Sequence, residues 1–208
     1  MTAPPTENAL ALDPVAQDLL LRGARTANTF TDEAVTDDQV RAIVDLIRYG
    51  PTAFNAQPLR IALLRSVGSR QRLLSHLSEG NRAKTAAAPL VAILAADTAF
   101  HEHLPRVFPH RPQARDWFSG TDADTAARRE TQARFNATLQ IGYLILGIRA
   151  AGLAAGPMAG FDAAGVDGEF FGDGRLRSLL VLNIGRPGPG ARHGRLPRLA
   201  YDDIVHTL

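Results

Sequence analysis

The sequence predicts an α+β fold, on three observations. Three short apolar runs, RIALLR at 60–65, PLVAILA at 89–95 and SLLVLNI at 178–184, have the length and composition of buried strands. Apolar residues at helical spacing occupy the segments between them. One stretch, from about 125 to 151, reads as a single helix of about 40 Å at 1.5 Å rise per residue.

After a polar, proline-bearing start, 14–22 reads as a short helix. At Thr36 the run TDDQ is a capping box, with Gln39 three residues after the threonine. Val40, Ile43, Val44 and Ile47 follow on one helical face, and Gly50-Pro51 stops the helix. The first strand run is followed by a helix at 69–77. The stretch FHEHLPRVFPHRPQARDWFSG, 100–120, is too long for a plain connector and is a candidate lid or binding loop. From Leu139 onward the long helix is apolar on nearly every side, as a central buried helix requires, and Gly152 is its expected stop. Beyond Gly185, glycine and proline are spaced so that neither helix nor strand persists before Tyr201. With no internal repeat and no linker, residues 1–208 read as one domain, of which 1–22 is an N-terminal extension.

At 208 residues, 45% hydrophobic and 21% charged, the chain can bury a core by itself. A formal charge of +2, with scattered basic residues and no polybasic run, gives no reason to expect a nucleic-acid partner. No cysteine is present, which excludes disulfides, iron–sulfur clusters, thiolate zinc sites and a cysteine nucleophile. The apolar run 141–148 ends at Arg149, far short of the roughly 20 residues that span a bilayer. The first fifteen residues carry acids and prolines and no basic segment, so no signal peptide is expected and a soluble cytoplasmic protein is. No GxGxxG, GxxxxGK[ST] or GxSxG pattern occurs, and the HEH at 101–103 lacks the spacing of a zinc helix, so no metal site is expected.

One lysine, Lys84, stands among 23 basic residues, the other 22 being arginine. It lies in EGNRAKTAAAP, 79–89, three residues after Asn81 and on the same helical face. Read alone it is either a stray surface lysine or a position that needs a compact ammonium.

Four separated segments, with a fifth at 195–199, together resemble the nitroreductase family of FMN-dependent oxidoreductases. ARTANTF, 24–30, is similar to a basic N-terminal motif that holds the flavin phosphate and ribityl chain, which implies roles for Arg25, Thr26 and Asn28; Asn28 stands where a second basic residue is usual. YGPTAFNAQPLR, 49–60, resembles a turn that reaches across a dimer interface to the partner's flavin, with Pro51, Thr52, Ala53, Asn55 and Gln57 at the matching positions. Asn81 and Lys84 match a pair directed at the ribityl and pyrimidine end, where an ammonium favours the anionic reduced flavin. GLAAGPMAGF, 152–161, resembles the segment whose backbone lines the ring near N5, here Pro157, Met158, Ala159 and Gly160; Ala159 stands where many relatives have glutamate. RLPRL, 195–199, is similar to a C-terminal motif that completes the phosphate site, through Arg195 or Arg198.

The resemblance covers nearly the whole chain from Ala24 onward. It implies a three-layer fold with a central, mostly antiparallel sheet flanked by helices, a long central dimer helix, and a homodimer with flavin at the subunit interface. It implies FMN as cofactor and NADH or NADPH as co-substrate, with hydride passing through flavin N5 to a small acceptor. The order of the motifs looks most like the branch containing malonic semialdehyde reductase, so nitroaromatics, quinones and small aldehydes such as malonic semialdehyde are the acceptors implied. Phe54, Trp117 and Phe118 are candidates for the acceptor pocket or, equally, for packing. No residue is assigned as a catalytic acid or base. The rival readings are a flavin-binding or flavin-modifying protein without NAD(P)H turnover, and a dimeric helical protein without cofactor.

Overall fold

In a computed structural model, described over residues 10–191 and 193–208, the helices are α1 (Pro14–Gln17), α2 (Asp37–Ile47), α3 (Val67–Ser75), α4 (Glu79–Ala87), α5 (Leu104–Val107), α6 (Ala123–Ala150), α7 (Ala163–Phe170) and α8 (Tyr201–Ile204). The strands are β1 (Leu59–Leu64), β2 (Leu90–Asp97), β3 (Ala154–Met158) and β4 (Leu176–Gly185). The first nine residues of the 1–22 extension lie outside the described span, and α1 continues as a π-helical turn, Asp18–Arg22.

The strands form one antiparallel sheet in the order β1-β2-β4-β3, with Ala62 opposite Ile93, Val91 opposite Asn183, and Gly156 opposite Asn183 on the far side. Every residue of β2 is buried, and its side chains alternate between two cores with the period of a pleated strand. Leu90, Ala92 and Leu94 pack with Ile43 of α2 and with Ile141, Leu144 and Ile148 of α6. Val91 and Ile93 face the other way, against Leu73, Leu77 and Val166 of the α3 and α7 side. Helices on both faces of the sheet give the three layers, and each fully buried leucine, isoleucine or valine contributes about 1.5–3 kcal/mol by leaving water.

The α2 start is the capping box expected at Thr36: its Oγ1 accepts from the Gln39 amide at 3.1 Å, and Gln39 Oε1 accepts from the Thr36 amide at 2.9 Å. The long helix starts two residues earlier than its apolar pattern suggests, because the Asp122 carboxylate caps the Thr125 amide at 2.8 Å. It ends before Gly152, which takes the left-handed conformation at φ 72°.

Three features differ from the sequence reading. β3 and α7 are additional elements. β3 reads AAGPM and contains a proline, which is tolerated because β3 is the edge of the sheet and Pro157 has no ladder hydrogen bond to lose on its outer side. α7, AAGVDGEF, carries two glycines and is nucleated by Asp162, whose Oδ1 accepts from the Gly165 amide at 3.0 Å. α6 is not buried all round beyond Leu139: Ile141, Leu144 and Ile148 are buried, whereas Phe135, Leu139 and Tyr143 are 63%, 43% and 42% exposed on the other face. The 100–120 segment folds into short helical turns, Phe100–His103, α5 and Pro112–Phe118, that bury Phe100, Leu104, Ala114 and Phe118 against Ala133 and Ala137 of α6.

Candidate functional site

The turn between α2 and β1 is built against its residues' own preference. Phe54, Asn55 and Gln57 all lie in the left-handed region, at φ 57°, 52° and 46°. Such conformations cost on the order of 1–3 kcal/mol each and persist only where surrounding contacts impose them. Here the Ala53 amide donates to Asn136 Oδ1 of α6 at 2.7 Å. Asn55 Nδ2 donates to the Val107 carbonyl at 2.8 Å, the Gln57 amide to Thr52 Oγ1 at 3.2 Å, and Gln57 Nε2 to Asn55 Oδ1 at 2.9 Å. Arg60 closes the turn, donating from Nη1 to the Gln57 carbonyl at 2.9 Å while its Nη2 meets the buried Asp97 carboxylate at 2.5 Å.

Asp97 also receives Arg175 at 2.8 and 3.0 Å and the Ala99 amide at 2.9 Å. Burial alone would raise its carboxyl; the Arg175 hydrogen bond and the Arg60 charge overcome that and hold it below the ordinary carboxylate range.

Around Phe54 the rings of Phe108, Trp117 and Phe118 stand edge-on at 5.9, 5.5 and 6.0 Å. Phe54, Trp117 and Phe118 line an open, largely apolar cleft of about 410 Å³ with Arg128 and Gln132 at its rim.

A second cluster joins α4 to the segment after β3. Asn81 Nδ2 donates to the Gly160 carbonyl at 3.0 Å, and the Ser78 amide donates to the same oxygen at 3.0 Å. A Cβ on Gly160 would lie 2.9 Å from Asn81 Nδ2 and 3.1 Å from Ser78 Oγ, so a side chain here would displace the Asn81 amide from its hydrogen bond. Lys84, one turn further along α4, is half-buried and makes no ion pair among the described residues. Pro157 and Met158 end β3, and Ala159 follows exposed.

The third cluster brings both chain ends together. The 24–30 segment runs beside β3: the Ala27 amide donates to the Ala155 carbonyl at 3.2 Å, and a Cβ on Gly156 would lie 2.8 Å from the Ala27 carbonyl oxygen. Arg25 Nη1 donates to the Arg22 and Ala24 carbonyls at 2.9 Å each, and Arg195 Nη2 donates to the same Arg22 carbonyl. Arg25, Thr26, Asn28, Arg195 and Arg198 line one cavity of about 410 Å³, with Arg149 from the end of α6 as a fourth guanidinium. No carboxylate lines it among the described residues. Loss of solvation, and then the positive charges of Arg25 and Arg198, hold the Arg195 guanidinium below its ordinary value. The Asp18 carboxylate opposes that effect only in part, and arginines gathered in this way suit a phosphate ligand.

The structure thus brings Arg25, Thr26, Asn28, Arg195 and Arg198 to one cavity, and separately ties Asn81 of α4, the helix that carries Lys84, to Gly160, which follows Pro157 and Met158 of β3 and then Ala159. It does not bring Pro51 to Gln57 to either cluster: the turn's hydrogen bonds run to α5, α6 and β1. Both arginines left open by sequence line the cavity; Arg195 Nη2 also donates to the Arg22 carbonyl, and Arg198 Nη1 donates to the Leu196 and Pro197 carbonyls. Sequence reading did not single out Arg149, the charge closing an apolar helix run, which lines the same cavity while its Nη1 donates to the Leu20 carbonyl at 2.8 Å. It also missed Asn136, although a polar residue on the buried stripe of α6 is a visible anomaly.

The profile described as "Nitroreductase family" matches residues 21–186. A Streptomyces coelicolor protein provisionally named as an NADH dehydrogenase/NAD(P)H nitroreductase is 61% identical over 200 residues, spanning 96% of this chain and all of that one. A protein of the same provisional name from Leptothrix cholodnii is 46% identical over 95% of this chain and 98% of its own. Among solved structures, a nitroreductase-like protein from Exiguobacterium sibiricum in complex with FMN superposes with a TM-score of 0.81 at 17% identity, over 95% of this chain and 98% of that one. One from Bacillus subtilis gives 0.79 at 20%, over 91% and 97%.

Proposed function

Because the chain belongs to the nitroreductase family, we propose that it is an FMN-dependent oxidoreductase that takes a hydride from NADH or NADPH and passes it to a small acceptor. The observation that carries this reading is the cavity where four arginines meet with no carboxylate on its wall. Its size and charge fit a phosphate monoester on a flexible chain. Bound FMN supplies N5 as the atom that receives hydride from a nicotinamide and gives it up to an acceptor.

The protein's own groups bind and orient. Arg25 and Arg195 hold the phosphate as planar forks, with Thr26 and Asn28 beside them and Arg149 and Arg198 completing the charge. Asn81 and Lys84 face the ribityl and pyrimidine end, where the lysine favours negative charge on the reduced ring. The backbone of Pro157, Met158, Ala159 and Gly160 lines the ring.

The turn Pro51, Thr52, Ala53, Asn55 and Gln57 serves the site of a second copy, so the working unit is a homodimer. Two features support that assembly: the turn is held rigid away from both clusters of its own chain, and α6 leaves Phe135, Leu139 and Tyr143 uncovered. The aromatic cleft at Phe54, Trp117 and Phe118 favours planar acceptors, nitroaromatics or quinones, over a small aldehyde such as malonic semialdehyde.

Anaerobic addition of NADH or NADPH to the purified yellow protein tests the reading. Bleaching of the flavin band, and its return on adding a nitroaromatic or quinone, is the expected result. A band that persists with both nucleotides identifies a flavin-binding protein without turnover.

A further inference from the structure

A buried polar group lies beneath α4 that the function above does not use. Asn183 of β4 is 1% exposed. Its Nδ2 donates to Thr85 Oγ1 at 3.2 Å and lies 4.0 Å from Met158 Sδ, while its Oδ1 has no partner among the described residues. Thr85, itself fully buried, directs Oγ1 toward Met158 Sδ at 3.7 Å. An apolar residue of similar volume would suit this side of β4 better, since an amide oxygen taken from water without a partner is destabilising.

What the amide gains is a second fastening for α4. Asn81 ties the helix to the Gly160 carbonyl, and Thr85, one turn along the same stripe, ties it to β4 and β3. Two anchors four residues apart fix the rotation of the helix about its axis and its distance from β3. Lys84 lies between them in the chain, so its Cα, and the place from which its ammonium reaches out, is fixed as well.

We propose that Asn183 is a positioning residue that sets, through Thr85 and α4, where the Lys84 ammonium stands relative to the bound flavin. The proposal rests on the role given to Lys84 above. The test is a double-mutant cycle on the FMN-loaded protein, measuring the two-electron midpoint potential and the FMN dissociation constant for wild type, Lys84→Met, Asn183→Leu and the pair.

Asn183→Leu is expected to weaken the preference for reduced over oxidised flavin by up to about tenfold, which is about 30 mV of lowered potential. The same substitution in the Lys84→Met background is expected to add nothing. A shift of equal size in both backgrounds, or none while Lys84→Met shifts the potential, overturns the proposal and leaves the flavin reading standing. No shift from Lys84→Met removes both. Melting temperatures separate a purely structural loss, and Thr85→Val carries the same cycle where Asn183→Leu does not fold.

Discussion

At 4 Å and an effective dielectric near 20, an ammonium and a negative charge attract by about 4 kcal/mol. If Lys84 stands at that range from the reduced flavin, it raises a two-electron potential by up to about 80 mV before desolvation is subtracted. Lys84→Met should therefore keep the fold and lower the potential by tens of millivolts; a spectroelectrochemical titration checks this, and an unchanged potential refutes the role. At the phosphate end, Arg195→Ala should weaken FMN binding by about tenfold or more, the scale of a charged hydrogen bond, and Arg198→Ala by about threefold or less. Equal losses in fluorescence titrations would contradict the preference for Arg195. Lys84 stands out in the sequence because it breaks an arginine-only pattern. Arg195 and Arg198 are equivalent within RLPRL; the fold places both on one cavity and brings Arg195 to the Arg22 carbonyl.

The strained turn 54–57 is held by contacts far away in sequence, so it tests how elements cooperate. Asn136→Ala leaves the Ala53 amide without its acceptor and should cost about 1–3 kcal/mol in denaturant unfolding. Arg60 and Asp97 hold the other end of the same turn. A carboxyl held below its ordinary value contributes stability that is fully present above its unfolded-state pKa and is lost as pH falls through the folded one. Asp97 should thus stabilise the protein at neutral pH, and the contribution should fade below about pH 4. Unfolding of Asp97→Asn followed from pH 7 to pH 3 should show a flatter acid limb than wild type; identical limbs would deny the pair its role. Elements with a periodic signal or a cap, such as α2 and α6, were visible in the sequence. β3 and α7 were not, because glycine and proline mask short elements whose stability comes from β4 and from Asp162 rather than from propensity.

Across the whole molecule, the family resemblance implied the three layers, but the sequence did not show which apolar face of α6 meets its own sheet and which stays open. A sequence apolar all round looks the same in both cases, since burial by a second chain and burial by one's own are chemically alike. In the proposed homodimer each site would draw its turn from the partner, so Phe135→Glu on the uncovered face should shift the protein from dimer to monomer in sedimentation velocity and weaken FMN binding with it. A monomeric wild type would contradict that assembly. The central claim is that segments scattered along the chain close on FMN and grip it by its phosphate. It is tested most directly by titrating apoprotein with FMN and with riboflavin in parallel: the account predicts one FMN per subunit and riboflavin bound at least about tenfold more weakly. Equal affinity for the two, or protein that takes up neither, would contradict it.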